Sequence, residues 1–304
     1  MFTWMVSMCL YTLVPAQEVQ IRNTSFFEVP EKYIPSRGRL LGIGLAGSYS
    51  IGMSGLYATW YKNYPSSSFH LFNDNNEWLQ MDKVGHVGSV YYLSRWTSGL
   101  VRWTGVSEKK AALYGTGTAY LFLTTIEVFD GFSAQWGFSP GDIAANTLGA
   151  GIYLSQQLVW NEQRITFKFS WHEDPLAKLR PETFGSTLPE KVLKDYNGQT
   201  YWLSGNIKSL FGLQKMPAWL NVAVGYGAGG MLTAERDEAT PEGRIDTGNR
   251  YRQFYLSPDI DWTRIPTRSQ TLRTIFKVIN FIKIPAPALE YRSNGNWKIH
   301  GLYF

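Results

Sequence analysis

Cysteine is almost missing from this chain: Cys9 is the only one in 304 residues. A lone cysteine near the start excludes an internal disulfide framework and any metal site built on paired cysteines. Charge is also scarce, with Asp, Glu, Lys and Arg at 17% and a net charge of +5 spread along the chain. Nucleic-acid binding needs Lys and Arg clustered to neutralise phosphates, and no such cluster is present. Nor is there a Ser-centred nucleophile elbow, a Walker loop or a dinucleotide fingerprint. The Gly-rich piece at 225–230 lacks the strand-turn-helix context those loops require.

The chain is instead rich in rings and apolar residues. Aromatics make up 15% and hydrophobic residues 44%, with 12 Trp, 18 Tyr and 17 Phe. That is enough apolar surface for a sizeable core, and Tyr and Trp favour membrane-water interfaces. The uncharged opening run closes on Val14, Pro15 and Ala16, the pattern of a signal peptide over residues 1–16. The domain expectation is then a helical, membrane-associated region over 17–160 and a β-rich region over 161–304.

Between Leu40 and Tyr61 no residue is charged. At about 1.5 Å rise per residue that run is long enough to span a bilayer core. Gly42, Ala46, Ser50 and Ser54 form a small-residue seam along it, suited to close helix approach. A second helix is expected from about Glu77 to Trp103, a third from Ser107, and a fourth from Ser139 with Pro140 in its first turn. Together these make an N-terminal bundle of about four apolar helices.

Each of the last three carries polar residues at helical spacing. Asp82, Lys83 and His86 lie on the second; Glu127 and Asp130 end the third; Asp142 and Asn146 open the fourth. Residues three or four apart share a helix face, so packing could bring all seven into one buried site. A carboxylate beside His86 could orient it as a general base, and Glu127, Asp130 and Asp142 could supply oxygens to a divalent ion. A single His argues against a tight zinc site. The same cluster could instead be a hydrogen-bonded network that fixes helix packing, with Lys83 neutralising an acid and Asp142 serving as a first-turn acid. An open cavity beside the cluster would favour ligand binding or catalysis; a fully hydrogen-bonded interior would favour the scaffold.

After Asn161 the apolar period changes to two. Ile165, Phe167, Phe169 and Trp171 alternate with Arg164, Thr166, Lys168 and Ser170, and Val222 and Val224 alternate with Asn221 and Ala223. Such alternation reads as half-buried strands of an antiparallel sheet. One amphipathic helix, Gln270 to Lys283, interrupts them with Leu272, Ile275, Phe276, Ile279 and Ile282 on one face and Arg268, Arg273, Lys277 and Lys283 elsewhere. It suits either packing on the sheet or lying on anionic lipid. Counting back by twos from Phe304 puts His300 and Lys298 on the outward face of the last strand, which argues against a membrane barrel, as does the small number of strands.

The stretch Asn73 to Gly151, with Asp82, Lys83, His86, Glu127, Asp130, Asp142, Asn146 and Gly149, resembles the YfiM-like family of predicted periplasmic lipoproteins. Leu193 to Trp202 and Pro285 to Tyr291 are similar to its longer form in Bacteroidetes. More distantly, the order of polar pairs is similar to VanZ-like membrane proteins, although no Arg stands near Glu127. The resemblance implies an exported protein of the cell envelope; the order of helices then strands makes it α+β, and the uncharged run with the basic amphipathic helix makes a membrane or lipid partner the expectation. It implies no reaction and no cofactor. The function expected is therefore a membrane-associated envelope component organised by its polar cluster, or a membrane-proximal enzyme or binder acting on a lipid or lipid-linked glycan.

Overall fold

Helices fill the first half of the chain and strands the second in this computed structural model, which describes residues 26, 28–62, 64–235, 243 and 249–304. The expected signal peptide at 1–16 and Cys9 lie outside the described residues, as does most of the loop at 236–248. The long helices are α1 (Pro35–Leu56), α2 (Met81–Trp103), α3 (Glu108–Gly131) and α4 (Pro140–Trp160). Six strands follow: β1 (Ile165–Trp171), β2 (Gln199–Asn206), β3 (Leu220–Gly229), β4 (Tyr251–Ile260), β5 (Ala286–Arg292) and β6 (Trp297–Tyr303). They form one antiparallel sheet in chain order. The protein is thus α+β, helices first.

α2, α3 and α4 pack on one another, because each carries a stripe that tolerates close approach. Along α3, Ala111, Gly115, Ala119, Leu123, Glu127 and Gly131 recur every four residues and are buried. Along α4 the buried face is Asp142, Ala145, Asn146, Gly149, Tyr153 and Gln156. A Cβ on Gly149 would lie 2.3 Å from the Val87 carbonyl oxygen, so glycine sets the α2–α4 spacing at the level of the polar residues. Gly149→Ala must push α4 away from α2. Thermal unfolding should show a loss of about 1–3 kcal/mol, the usual cost of overpacking, and an unchanged melting temperature would refute the close approach.

α1 corrects one expectation. Its start is tied to the end of α2, where buried Arg37 donates to the Trp103 carbonyl at 3.0 Å, and its body touches α3 through Tyr49, whose hydroxyl donates to Thr125 Oγ1 at 3.0 Å and whose ring meets Phe122. The seam of Gly42, Ala46, Ser50 and Ser54 is exposed and packs on nothing described. No helix among the described residues is long and apolar enough to cross a membrane, since Gly, Ser and Tyr dilute the run from Leu40 to Tyr61. The second helix also begins later than expected. Trp78, Leu79 and Gln80 take positive φ of 47°, 51° and 65°, a costly conformation for residues with side chains. Neighbours hold it: Trp78 N–H donates to the Ala234 carbonyl, and Arg252 donates to Gln80 Oε1.

The sheet corrects another. Its alternation is as expected, but the polar side faces the interior. Asn221, Ala223, Gln253, Ser257 and Asp259 are buried, whereas Val224 is 54% exposed and Phe254 and Leu256 are exposed with it. Lys168 and Asp259 pair at 2.8 Å, both fully buried, and Ser204 donates to Asp259. Trp202, Tyr255 and Tyr303 fill the same inner side. The helices cover the outer side at β1, where Phe167 packs against Val87 and Tyr91 and the Tyr92 hydroxyl donates to the Phe167 carbonyl. A bulge in β6 completes the picture: Ala286 pairs with Tyr303 but Ala288 with His300. One extra residue flips the count by twos. His300 therefore faces inward, 2.6 Å from Glu290, and Ile299 and Leu302 face out at 82% and 73% exposure.

Candidate functional site

The polar residues of the three packed helices meet at one place. His86 Nδ1 lies 3.1 Å from Asn146 Oδ1 and 3.7 Å from Glu127 Oε1; His86 Nε2 lies 3.8 Å from both Asp82 Oδ1 and Asp142 Oδ1. Lys83 Nζ reaches Asp142 at 2.8 Å and Asp82 at 3.2 Å. Asp130 stands slightly apart and accepts from the Tyr61 hydroxyl at 2.8 Å. All seven residues singled out in the sequence thus lie in or beside one cluster.

Local folding explains the placement. Ser139 caps α4, accepting from the Asp142 N–H at 3.1 Å, and donates to Asp74 Oδ1 at 2.6 Å. Asp74 in turn pairs with Lys83 at 2.7 Å. The cap of α4 and the first turn of α2 are therefore tied through one loop acid. Three members of the site carried no sequence signal. Asp74 sat in a turn, Tyr61 ends a short π-helical turn after α1, and Tyr196, which donates to Asp82 Oδ1 at 2.9 Å, sits just before β2. Their roles depend on chain segments meeting in space.

Burial dominates the electrostatics. It pushes the Glu127 carboxyl up to about 8, reinforced by Asp142 and Asp130 and opposed by His86. It pushes Asp142 up to about 7, aided by Asp82 and opposed by His86 and Lys83, and Asp130 up to about 6 against the hydrogen bond from Tyr61. For His86, burial works against the charged ring, but Asp82, Asp142 and Glu127 outweigh it and raise its pKa. Asp82 goes the other way: burial disfavours its charge, yet His86 and Lys83 hold it below the usual carboxylate range. Adjacent carboxyls pushed apart in pKa are a common arrangement for proton transfer.

The interior is not saturated with hydrogen bonds. Glu127 Oε1 and Asn146 Nδ2 are buried without a hydrogen-bond partner, whereas Asp142 Oδ1 holds the Lys83 ammonium at 2.8 Å. Two spaces flank the cluster. A cleft of 580 Å³ runs between α2 and the sheet, walled by Tyr92, Leu93, Trp96, Leu123, Phe167 and Phe281, with Asp82, His86 and Tyr196 at one end. A cavity of 210 Å³ on the other side touches Tyr61, Asp74, Asp130, Asp142 and again Asp82 and His86. His86 stands between an apolar space and a polar one.

Residues 70–156 match the family model described as predicted periplasmic lipoprotein (DUF2279). The matched span runs from the loop before α2 into α4 and contains all seven cluster residues; α1 and the sheet lie outside it. No curated protein and no solved structure matches the chain. The family description places this protein in the cell envelope, in agreement with the export expected from the sequence.

Proposed function

We propose that this envelope protein binds an amphiphile, a lipid or lipid-linked glycan, with its apolar chain in the cleft and its polar end at His86. The observation that carries the reading is that the cleft wall changes from Trp96, Leu123 and Phe281 to Asp82, His86 and Tyr196 within one continuous space. Its volume falls in the range of about 300–1,000 Å³ usual for ligand pockets, which are mostly apolar with a few convergent polar groups. The Asp82 carboxylate at the polar end suits a head rich in hydroxyls, which donate to it. His86, flanked by carboxylates, is placed to take up or give a proton at that head. The unpartnered atoms of Glu127 and Asn146 favour this reading over a purely structural network, because a network that serves only packing gains from satisfying every buried group.

Ser89 lines the cleft and is itself exposed, so Ser89→Phe can narrow the space without disturbing the core. Binding of a long-chain fluorescent alkyl glycoside should weaken about tenfold, a loss of about 1.4 kcal/mol, with the melting temperature unchanged. Equal binding by wild type and variant, or no binding by wild type, would remove the amphiphile reading.

A further inference from the structure

We infer that Asp82, His86 and Asp142 form a binding site for a divalent cation of the Mn²⁺ type. The inference concerns the polar end of the cleft and deepens the proposed function without depending on the apolar part. One oxygen each from Asp82 and Asp142 and one nitrogen of His86 all lie within 4.8 Å of one another. Both His86 separations are 3.8 Å, too long for hydrogen bonds. Two donor atoms each about 2.0–2.2 Å from a shared ion lie up to roughly 4 Å apart, so the spacing suits ligands around a common centre.

The ring is set for that role. Nδ1 donates to Asn146 Oδ1 at 3.1 Å, so Nε2 is the ring atom that faces the two carboxylate oxygens and takes the ion in exchange for its proton. A second partner on the other ring nitrogen is the usual way a metal-binding His is oriented. Three donor atoms then converge, with Asp142 Oδ1 also held by Lys83 Nζ at 2.8 Å and Asp82 Oδ1 accepting from the Tyr196 hydroxyl at 2.9 Å. Independent of this triad, Glu127 is 1% exposed and directs Oε1 toward His86 at 3.7 Å without any hydrogen-bond partner. A buried carboxyl oxygen left without a donor gains from a cation placed beside it.

The charge balance agrees. Among the described residues, Asp74, Asp82, Glu127, Asp130 and Asp142 group around the two cationic side chains Lys83 and His86. Lys83 reaches Asp74, Asp82 and Asp142 but not Glu127, and at Asp142 it occupies the oxygen that the ion would share. Carboxylate with a single imidazole suits Mn²⁺ or a similar divalent ion better than the nitrogen- and sulfur-rich sets typical of structural zinc.

The test uses the purified full chain, stripped with chelator, and Mn²⁺ as the probe, with free Mn²⁺ read by electron paramagnetic resonance. Wild type should take up Mn²⁺ at one saturable site. His86→Gln and Asp142→Asn should each weaken uptake at least about tenfold, a loss of the size seen even for outer-shell partners. Lys83→Met should tighten it, because removing the ammonium group 2.8 Å from Asp142 leaves the carboxylates to the ion. That gain cannot come from a misfolded variant. Ser89→Phe should leave Mn²⁺ uptake intact, so failure of the amphiphile reading and failure of the cation reading are distinguishable. Absence of saturable uptake by wild type, or uptake unchanged in both His86→Gln and Asp142→Asn, would overturn the site.

Discussion

Glu127→Gln is expected to stabilise the chelator-treated protein strongly at pH 9 and hardly at all at pH 5. Glu127 lies 1% exposed among apolar helix faces, and burial lifts its carboxyl to about 8, against about 4.3 in an unfolded chain. The sign follows from proton counting. Between those two values the folded state holds a proton that the unfolded state has released, so stability falls as pH rises, and the loss is complete only above the folded value. Gln keeps the shape of the protonated acid and never has to ionise. The gap of about 3.5 units at 1.36 kcal/mol per unit amounts to roughly 3–5 kcal/mol at pH 9, or about 10 °C in melting temperature for a chain of this size. His86 acts in the same direction on the pH dependence: its raised pKa contributes stability that is full below about 6.5 and fades as pH passes the folded value. Melting curves of both proteins at pH 5 and pH 9 settle the matter: a variant that gains equally at both, or loses at pH 9, would show that Glu127 is ionised and paired.

The helical site was legible because its information is local. Spacing of three or four residues places Asp82 beside His86 and Asp142 beside Asn146 whatever the helices pack against, and Ser139 and Pro140 mark where α4 starts. Asp74, Tyr61 and Tyr196 were not legible, since each reaches the site from a turn or loop whose position depends on the rest of the fold. The left-handed run from Trp78 to Gln80 was hidden for the same reason. Nothing in those three residues favours positive φ; contacts from Ala234 and Arg252, more than 150 residues away, hold them there. For the strands, alternation was readable but its direction was not. A period of two says that the faces differ, and the ordinary assumption puts the apolar one inside. Here Lys168, Asp259, Ser204 and Asn221 pair with one another on the sheet's buried side, so the polar face can be buried and the valines turned out. The bulge in β6 then reverses the facing of His300, which no count by twos anticipates.

Vesicles containing anionic lipid are expected to pull the protein down without detergent, through a surface that the outward-turned side chains and one helix create together. The helix, α5 (Gln270–Ile279), presents Leu272, Ile275 and Val278 to the outside, and only Phe276 and Ile279 are half covered, Phe276 by Trp262. Arg268, Arg273 and Lys277 are exposed around that apolar stripe. Packing on the sheet, the ordinary fate of such a helix, would have buried the stripe. The chain leaves α5 through Asn280 and Phe281, and Phe281 walls the cleft, so a lipid surface beneath α5 would adjoin the space proposed for the amphiphile. Val224, Leu256, Ile299 and Leu302 are likewise exposed on the sheet, and exposed apolar side chains of this kind favour membrane contact. Cations near an anionic surface contribute about 1 kcal/mol each. The double change Arg273→Gln with Lys277→Gln should therefore reduce vesicle binding by roughly 30-fold, and raising salt should weaken the wild type in the same way. Ile275→Asp with Val278→Asp removes apolar contact instead, and its loss should persist at high salt. Recovery of the wild type entirely in the supernatant, with anionic vesicles and low salt, would mean that these outward faces meet something other than lipid.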